Sequence, residues 1–303
     1  MAATVAHEVA IYSVCQVAAY AVCWKASERL MPKAPDRAFS ADALYGIFYY
    51  PALVLLALDA TVRLGADVTT RWEGTVRSSQ ILGRLLLSRM LVHVPYLFLK
   101  RRKEDRKMLP LYLTHHAIVI VVYGLGTFRG RAHFWGAANA LCEVTNCFCT
   151  VIELFACVSS EAKERWKTLH RWNSMWFSIS YCALRLMLFP MVFLWYMNDV
   201  ITHPDLSWAK VGNAERILYP LANLMVFGLS VNWALPVVRG TLRRLFGTEE
   251  QLAMAAETAA AAVANETAAA VAGRGEKESG EFDAPSSSAR LYQRHTSLIK
   301  SAQ

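Results

Sequence analysis

His115 and His116 stand side by side within the apolar stretch from Leu111 to Tyr123. Near neutral pH an imidazole can serve as base, acid, nucleophile or metal ligand. Hydrocarbon cannot solvate it, so such a group faces a protein interior or a cavity. Other polar residues line up on neighbouring apolar segments when about 100° is counted per residue. Asn139, Glu143, Asn146, Thr150 and Glu153 fall within roughly 80°. Ser174, Ser178, Tyr181 and Arg185 fall within about 60°. Tyr112, His116, Tyr123 and Thr127 share a third arc, with His115 about 100° away. Arg89, His93 and Tyr96 align, as do Tyr219, Asn223 and Ser230.

These five stripes predict one shared polar cavity. The residues expected to line it and bind substrate are Arg89, His93, Tyr112, Tyr123, Asn139, Asn146, Tyr181, Arg185 and Asn223. His116, Glu143, Asn146 and Arg185 are expected to point inward, and His115 toward a neighbouring helix or the rim. Arg89 and Arg185 are expected to balance Glu143 and Glu153. The alternatives are polar contacts between helices for the histidines and a structural ion pair for Arg185.

The elements that position these residues are membrane helices. Of 303 residues, 55% are hydrophobic and 18% charged, against about 25% charged in soluble domains. Seven apolar blocks are long enough to cross a bilayer as helices: about 5–24, 44–62, 80–99, 111–128, 133–155, 172–197 and 217–238. The fold class is therefore an all-α polytopic membrane bundle. Lys and Arg crowd the first, third and fifth connections, including the run Lys100–Lys107, and are fewer in the even ones. This alternation predicts a lumenal N-terminus and a cytosolic C-terminus. No Lys or Arg precedes the first block, which reads as an uncleaved anchor.

Three regions follow: an anchor helix and cytosolic loop (1–40), a transmembrane domain (41–246), and a tail (247–303) that is Ala-rich and then disordered in composition. The seven cysteines show no CxxC or zinc spacing and read as small packing residues. The net charge of +8 is met by anionic lipid headgroups beside the short loops, and no nucleic-acid motif is present. One His pair among eight histidines is too few for the clusters of a di-iron desaturase. Fatty-acid elongases use HxxHH, where this chain has Tyr112 in the first position.

Three segments carry a resemblance: the His115–His116 pair opening a span, Leu141–Asn146 followed by Glu153–Leu154 in the next, and Tyr181–Pro190 in the one after. In this order, over roughly residues 75–245, the chain resembles the TLC-domain family of multi-pass membrane lipid proteins, which includes the ceramide synthases. The resemblance implies a barrel of six helices around a lipid-holding cavity, in the endoplasmic reticulum membrane. It implies His115 and His116 as catalytic residues, assisted by Glu143. Their reaction would move an acyl group from acyl-CoA, as co-substrate, to a lipid amine such as a sphingoid base. Synthases place two aspartates where this chain has Glu143 and Asn146, so it looks more like the broader family than a ceramide synthase. Membrane lipids, sphingoid base or phospholipid, are the expected partners; no bound cofactor or metal is expected. The other reading is a non-enzymatic lipid sensor, regulator or carrier.

Overall fold

The computed structural model describes residues 2–32, 34, 36–99 and 103–246. Lys100, Arg101 and Arg102 and the whole tail from 247, with its Ala-rich segment, lie outside the described residues. Among those described, every regular element is helical.

Seven segments are long and apolar enough to span a membrane. The first is α1 (Ala2–Leu30) and the second α2 (Arg37–Leu64). The third joins a short helix α3 (Val68–Glu73) to α4 (Arg77–Leu99). The fourth lies in α5 (Lys103–Arg129), which takes in the second half of the basic run expected as loop. The fifth joins α6 (His133–Ala140), a 3₁₀ turn (Leu141–Glu143) and α7 (Val144–Cys157). After α8 (Ser160–Arg165), the sixth joins α9 (Lys167–Ser180), a π-helical segment (Tyr181–Met187) and α10 (Leu188–Thr202). The seventh lies in α11 (Asn213–Phe246).

Local chemistry sets the ends. Asp36, Asp67 and Ser159 cap α2, α3 and α8 by accepting from the amides of Phe39, Thr70 and Ala162. The Thr70 hydroxyl also donates to Asp67 and, with the amide, holds that carboxyl below its usual range. Helix α5 ends at Gly130, whose positive φ of 66° lets the next amide, of Arg131, turn back to the Gly126 carbonyl.

Packing runs α2 to α4, α4 to α5, α5 to α11, α11 to the π segment, α9 to α7, and α7 back to α2. Helix α1 packs outside this circuit on α2 and α4. Polar ties hold it there. Gln16 donates to the Leu85 carbonyl and Ser88 hydroxyl and accepts from Tyr45, while Arg84 pairs with Glu8 at 2.7 Å. Small residues let α2 approach its neighbours: Ala41, Ala43, Ala57 and Ala60 are fully buried, and Gly46 faces Thr150 of α7.

One end of the bundle is closed. Asp199, at the end of α10, takes two bonds from the Arg71 guanidinium, at 2.8 and 2.7 Å, and a third from the Trp72 indole at 3.1 Å. Glu215, fully buried, takes bonds from Arg129 and the Gly212 amide and faces Arg131 at 3.5 Å. Each buried carboxylate is thus compensated by charge and hydrogen bonds. Trp72, Phe134, Trp135, Tyr196 and Tyr219 fill the space between.

Candidate functional site

A cavity lies between α4, α5, α6, α10 and α11; with the open solvent at its mouth the space amounts to about 1170 Å³. Its wall is mostly aliphatic and aromatic. Along α5 it runs from His115 to Thr127, and at 1.5 Å per residue this is about 18 Å. That depth is close to one leaflet of a hydrocarbon core about 30 Å thick. Tyr196, Tyr219 and Trp135 mark the end beside the ion pairs.

Five of the residues expected at the site line this cavity: His115, Tyr123, Asn139, Glu143 and Asn223. Asn223 donates to Asn139 at 3.1 Å and so bridges α11 to α6. Tyr123 donates to the Gly136 carbonyl at 2.7 Å. Glu143 sits on the 3₁₀ turn and accepts from Asn146 at 2.5 Å. His115 has its Nδ1 buried without a hydrogen-bond partner among the described residues. Its ring meets those of His116 and Trp233, with centroids 5.8 and 6.5 Å away.

The remaining expected residues do not line it. His116 is buried at the seam of α5 and α4. Its Nδ1 lies 2.7 Å from the Tyr112 carbonyl and its Nε2 2.9 Å from Nδ1 of His93. A carbonyl only accepts, so in neutral His116 the proton is on Nδ1 and His93 donates to Nε2. Behind His93, 3.8 Å away, lies Asp42 of α2, which also binds Arg89 at 2.5 Å. Arg89 lies over the faces of Tyr45 and Tyr49. Its carboxylate is therefore Asp42, whereas Glu143 and Glu153 were expected to balance it. Tyr112 lies toward Trp233, outside the cavity.

Arg185 is buried on the π segment. It donates to Thr145 at 2.9 Å and, more weakly, to Asn146 at 3.4 Å. Asn146 thereby stands between Arg185 and Glu143. Tyr181 donates to the Ser230 carbonyl of α11 at 2.8 Å. Two polar clusters thus flank the apolar cavity, one at Asp42–Arg89–His93–His116 and one at Arg185–Thr145–Asn146. His115, Tyr123 and Glu143 are the titratable members of the expected set that line the cavity itself.

Helical phase explains the exchange of the two histidines. On α5 the cavity face is centred near His115, Val119, Val122 and Gly126, all within an arc of roughly 60°. The polar arc of Tyr112, His116, Tyr123 and Thr127 lies to one side, toward α4, where Gly83 meets Thr127 and His93 meets His116. The stripes mark helix seams as much as the cavity. The sequence reading missed Asp42, whose signal was a carboxylate two residues before an apolar block, and Thr145, which a phase count puts off the stripe. It also missed Ser79 and His133, which line the cavity.

A family model described as a TLC domain matches residues 6–239, a stretch that includes most of α1. No curated protein and no solved structure matches the chain.

Proposed function

The chain belongs to the TLC-domain family of lipid-related, multi-pass membrane proteins, and from that premise we propose that it holds one acyl chain in its bundle and transfers it with His115. One observation carries this reading: a mostly apolar cavity, bordered at one end by ion pairs, has His115 and Glu143 among its lining residues. An acyl chain would lie along α5 with its carbonyl toward His115. A lipid amine then attacks the thioester carbonyl of acyl-CoA. The C–N bond forms and the C–S bond breaks. His115 takes the amine proton, and CoA leaves as the thiolate. Glu143, held by Asn146, orients the amine. The sphingoid base or a phospholipid amine is the acceptor class. The circuit of packed helices supports the six-helix barrel.

We place the protein in the endoplasmic reticulum with its N-terminus lumenal. The uneven distribution of Lys and Arg supports this orientation. His115 then lies on the cytosolic side of the cavity, where acyl-CoA is available.

A second reading, a lipid sensor or carrier without chemistry, is favoured by His116. Both its nitrogens are engaged, which leaves one imidazole of the pair for a substrate. The test joins two measurements on purified protein: mass spectrometry of retained lipids, and acyl-CoA consumption with sphingoid and lysophospholipid acceptors. Turnover that disappears in His115→Ala supports transfer. Retained lipid without turnover supports the carrier, and neither one sinks both.

A further inference from the structure

Three arginines are buried among the described residues, and one of them differs from the others. Arg71 and Arg89 each meet a carboxylate, Asp199 at 2.7 Å and Asp42 at 2.5 Å. Arg185 is 7% exposed and donates only to neutral oxygens, those of Thr145 and Asn146. No carboxylate among the described residues is in contact with it. A guanidinium inside a span is costly without a counter-charge. Its Nη1 has no partner among the described residues and still keeps accessible surface. Glu143 is the converse. It is half-buried on the cavity wall, and the Asn146 amide and the Cys142 thiol are its donors. No Lys or Arg among the described residues touches its carboxylate.

The two charges are not paired with each other. One side-chain amide stands between them: Asn146 donates to Glu143 at 2.5 Å and accepts from the Nη2 of Arg185 at 3.4 Å. The Nη end of Arg185 therefore faces the part of the wall that Glu143 forms. Cys142, beside Glu143, and Phe189, four residues on from Arg185, line the cavity as well. Arg185 is carried by the π-helical stretch Tyr181–Met187, an irregularity frequent at functional sites. A group that answers both charges presents an ammonium to Glu143 and an anion to Arg185, a short spacer apart. A guanidinium is well matched to phosphate, which it can hold with two bonds. Ethanolamine phosphate meets these terms. A sphingoid base brings the cation alone, and a phosphatidic acid the anion alone.

We propose that Arg185 and Glu143 form a site for a zwitterionic head group, and that the lipid bound there is an ethanolamine phospholipid, its phosphate on Arg185 and its ammonium on Glu143. This assignment rests on the reading that a lipid amine accepts the acyl group, and it chooses between the two acceptor classes. The ammonium gives one proton to Glu143, and the free amine attacks the thioester carbonyl. The C–N bond forms, the C–S bond breaks with its electron pair going to sulfur, and the second proton goes to His115. Each unpaired charge selects against a head group that leaves it unanswered.

Lysophosphatidylethanolamine, lysophosphatidic acid and sphingosine of matched chain length are offered together, in equal amounts, to the full-length protein in detergent. Retained lipids are read by mass spectrometry, and acyl-CoA consumption is measured with each amine alone. The wild type should enrich lysophosphatidylethanolamine over both others by about tenfold or more, the size of one charge-assisted hydrogen bond. In Arg185→Gln the advantage over sphingosine should disappear while that over lysophosphatidic acid remains. Glu143→Gln should do the reverse. Equal retention of the three by the wild type, or unchanged preferences in either variant, overturns the zwitterion site alone. Turnover with sphingosine equal to that with lysophosphatidylethanolamine also overturns it and leaves acyl transfer standing. Retention of no lipid overturns the lipid-holding reading as well. If Arg185→Gln fails to fold, Glu143→Gln decides alone, and an undiminished advantage over lysophosphatidic acid counts against the site.

Discussion

His116 is held at both ring nitrogens, by His93 and by the Tyr112 carbonyl, whereas the Nδ1 of neighbouring His115 has no partner among the described residues. Their replacements should therefore diverge. His116→Ala strips His93 of its acceptor at the α4–α5 seam and should cost about 1–3 kcal/mol, seen as a lower melting temperature. His115→Ala should melt close to wild type yet lose acyl-CoA consumption. The opposite pattern, with His116 needed for turnover and His115 for stability, would reverse their assignment. Asp199 offers a purer stability test. Asp199→Ala leaves the Arg71 guanidinium without its counter-charge and the Trp72 indole without its acceptor and should cost about 3–5 kcal/mol. An unchanged melting curve would contradict the buried pairing. Much of this residue level was visible in the sequence, because an ionisable group in hydrocarbon announces itself. What stayed hidden was its direction. Phase along one helix shows which polar residues share a face and not whether a neighbour or a cavity meets that face, and Asp42 gives no hint of Arg89, 47 positions away.

The helices themselves were legible wherever length and apolarity suffice, and all seven spans overlap the blocks read from composition. Their internal breaks were not. In the fifth span the 3₁₀ turn at Leu141–Glu143 advances about 120° per residue instead of 100°. Over three residues this rotates α7 by about 60° relative to a continuous α-helix. Asn139 and Glu143 thus line the cavity, Asn146 meets Arg185, and Thr150 meets Gly46 of α2. Such a break is set by packing between helices, which no local preference records. Close packing also makes glycines unequal. A Cβ on Gly46 would lie 2.8 Å from the Thr150 hydroxyl, and one on Gly83 2.5 Å from that of Thr127, while Gly124 and Gly228 have nothing within 4 Å. Gly46→Val and Gly83→Val should each cost about 1–3 kcal/mol through overpacking. Gly124→Ala and Gly228→Ala should be neutral or stabilising by up to about 1 kcal/mol. Melting temperatures of the four variants decide this, and equal losses at all four would argue against the seams described.

For the molecule as a whole, the proposed orientation is open to direct measurement. A glycosylation sequon placed in the connection between α10 and α11 should be modified in microsomes. The natural sequon at Asn265, outside the described residues, should stay bare. An endoglycosidase-sensitive shift that vanishes in Asn265→Gln would put the tail in the lumen and invert the topology. The sequence alone supplied the charge alternation behind this reading. It could not show that Arg71, Arg129 and Arg131 are paired with carboxylates, because their partners lie on other spans.

The clamp between Arg71 and Asp199 joins residues 128 positions apart. At roughly 5–20 residues per second, a ribosome releases Arg71 about 6–25 s before its partner. During that interval the guanidinium can reach the Gly65 carbonyl but has no counter-charge. The early spans are thus committed to the membrane before the late ones supply their counter-charge. A chain interrupted before the sixth span would leave the Arg71 charge without its carboxylate, so this contact forms only once nearly the whole bundle has been made.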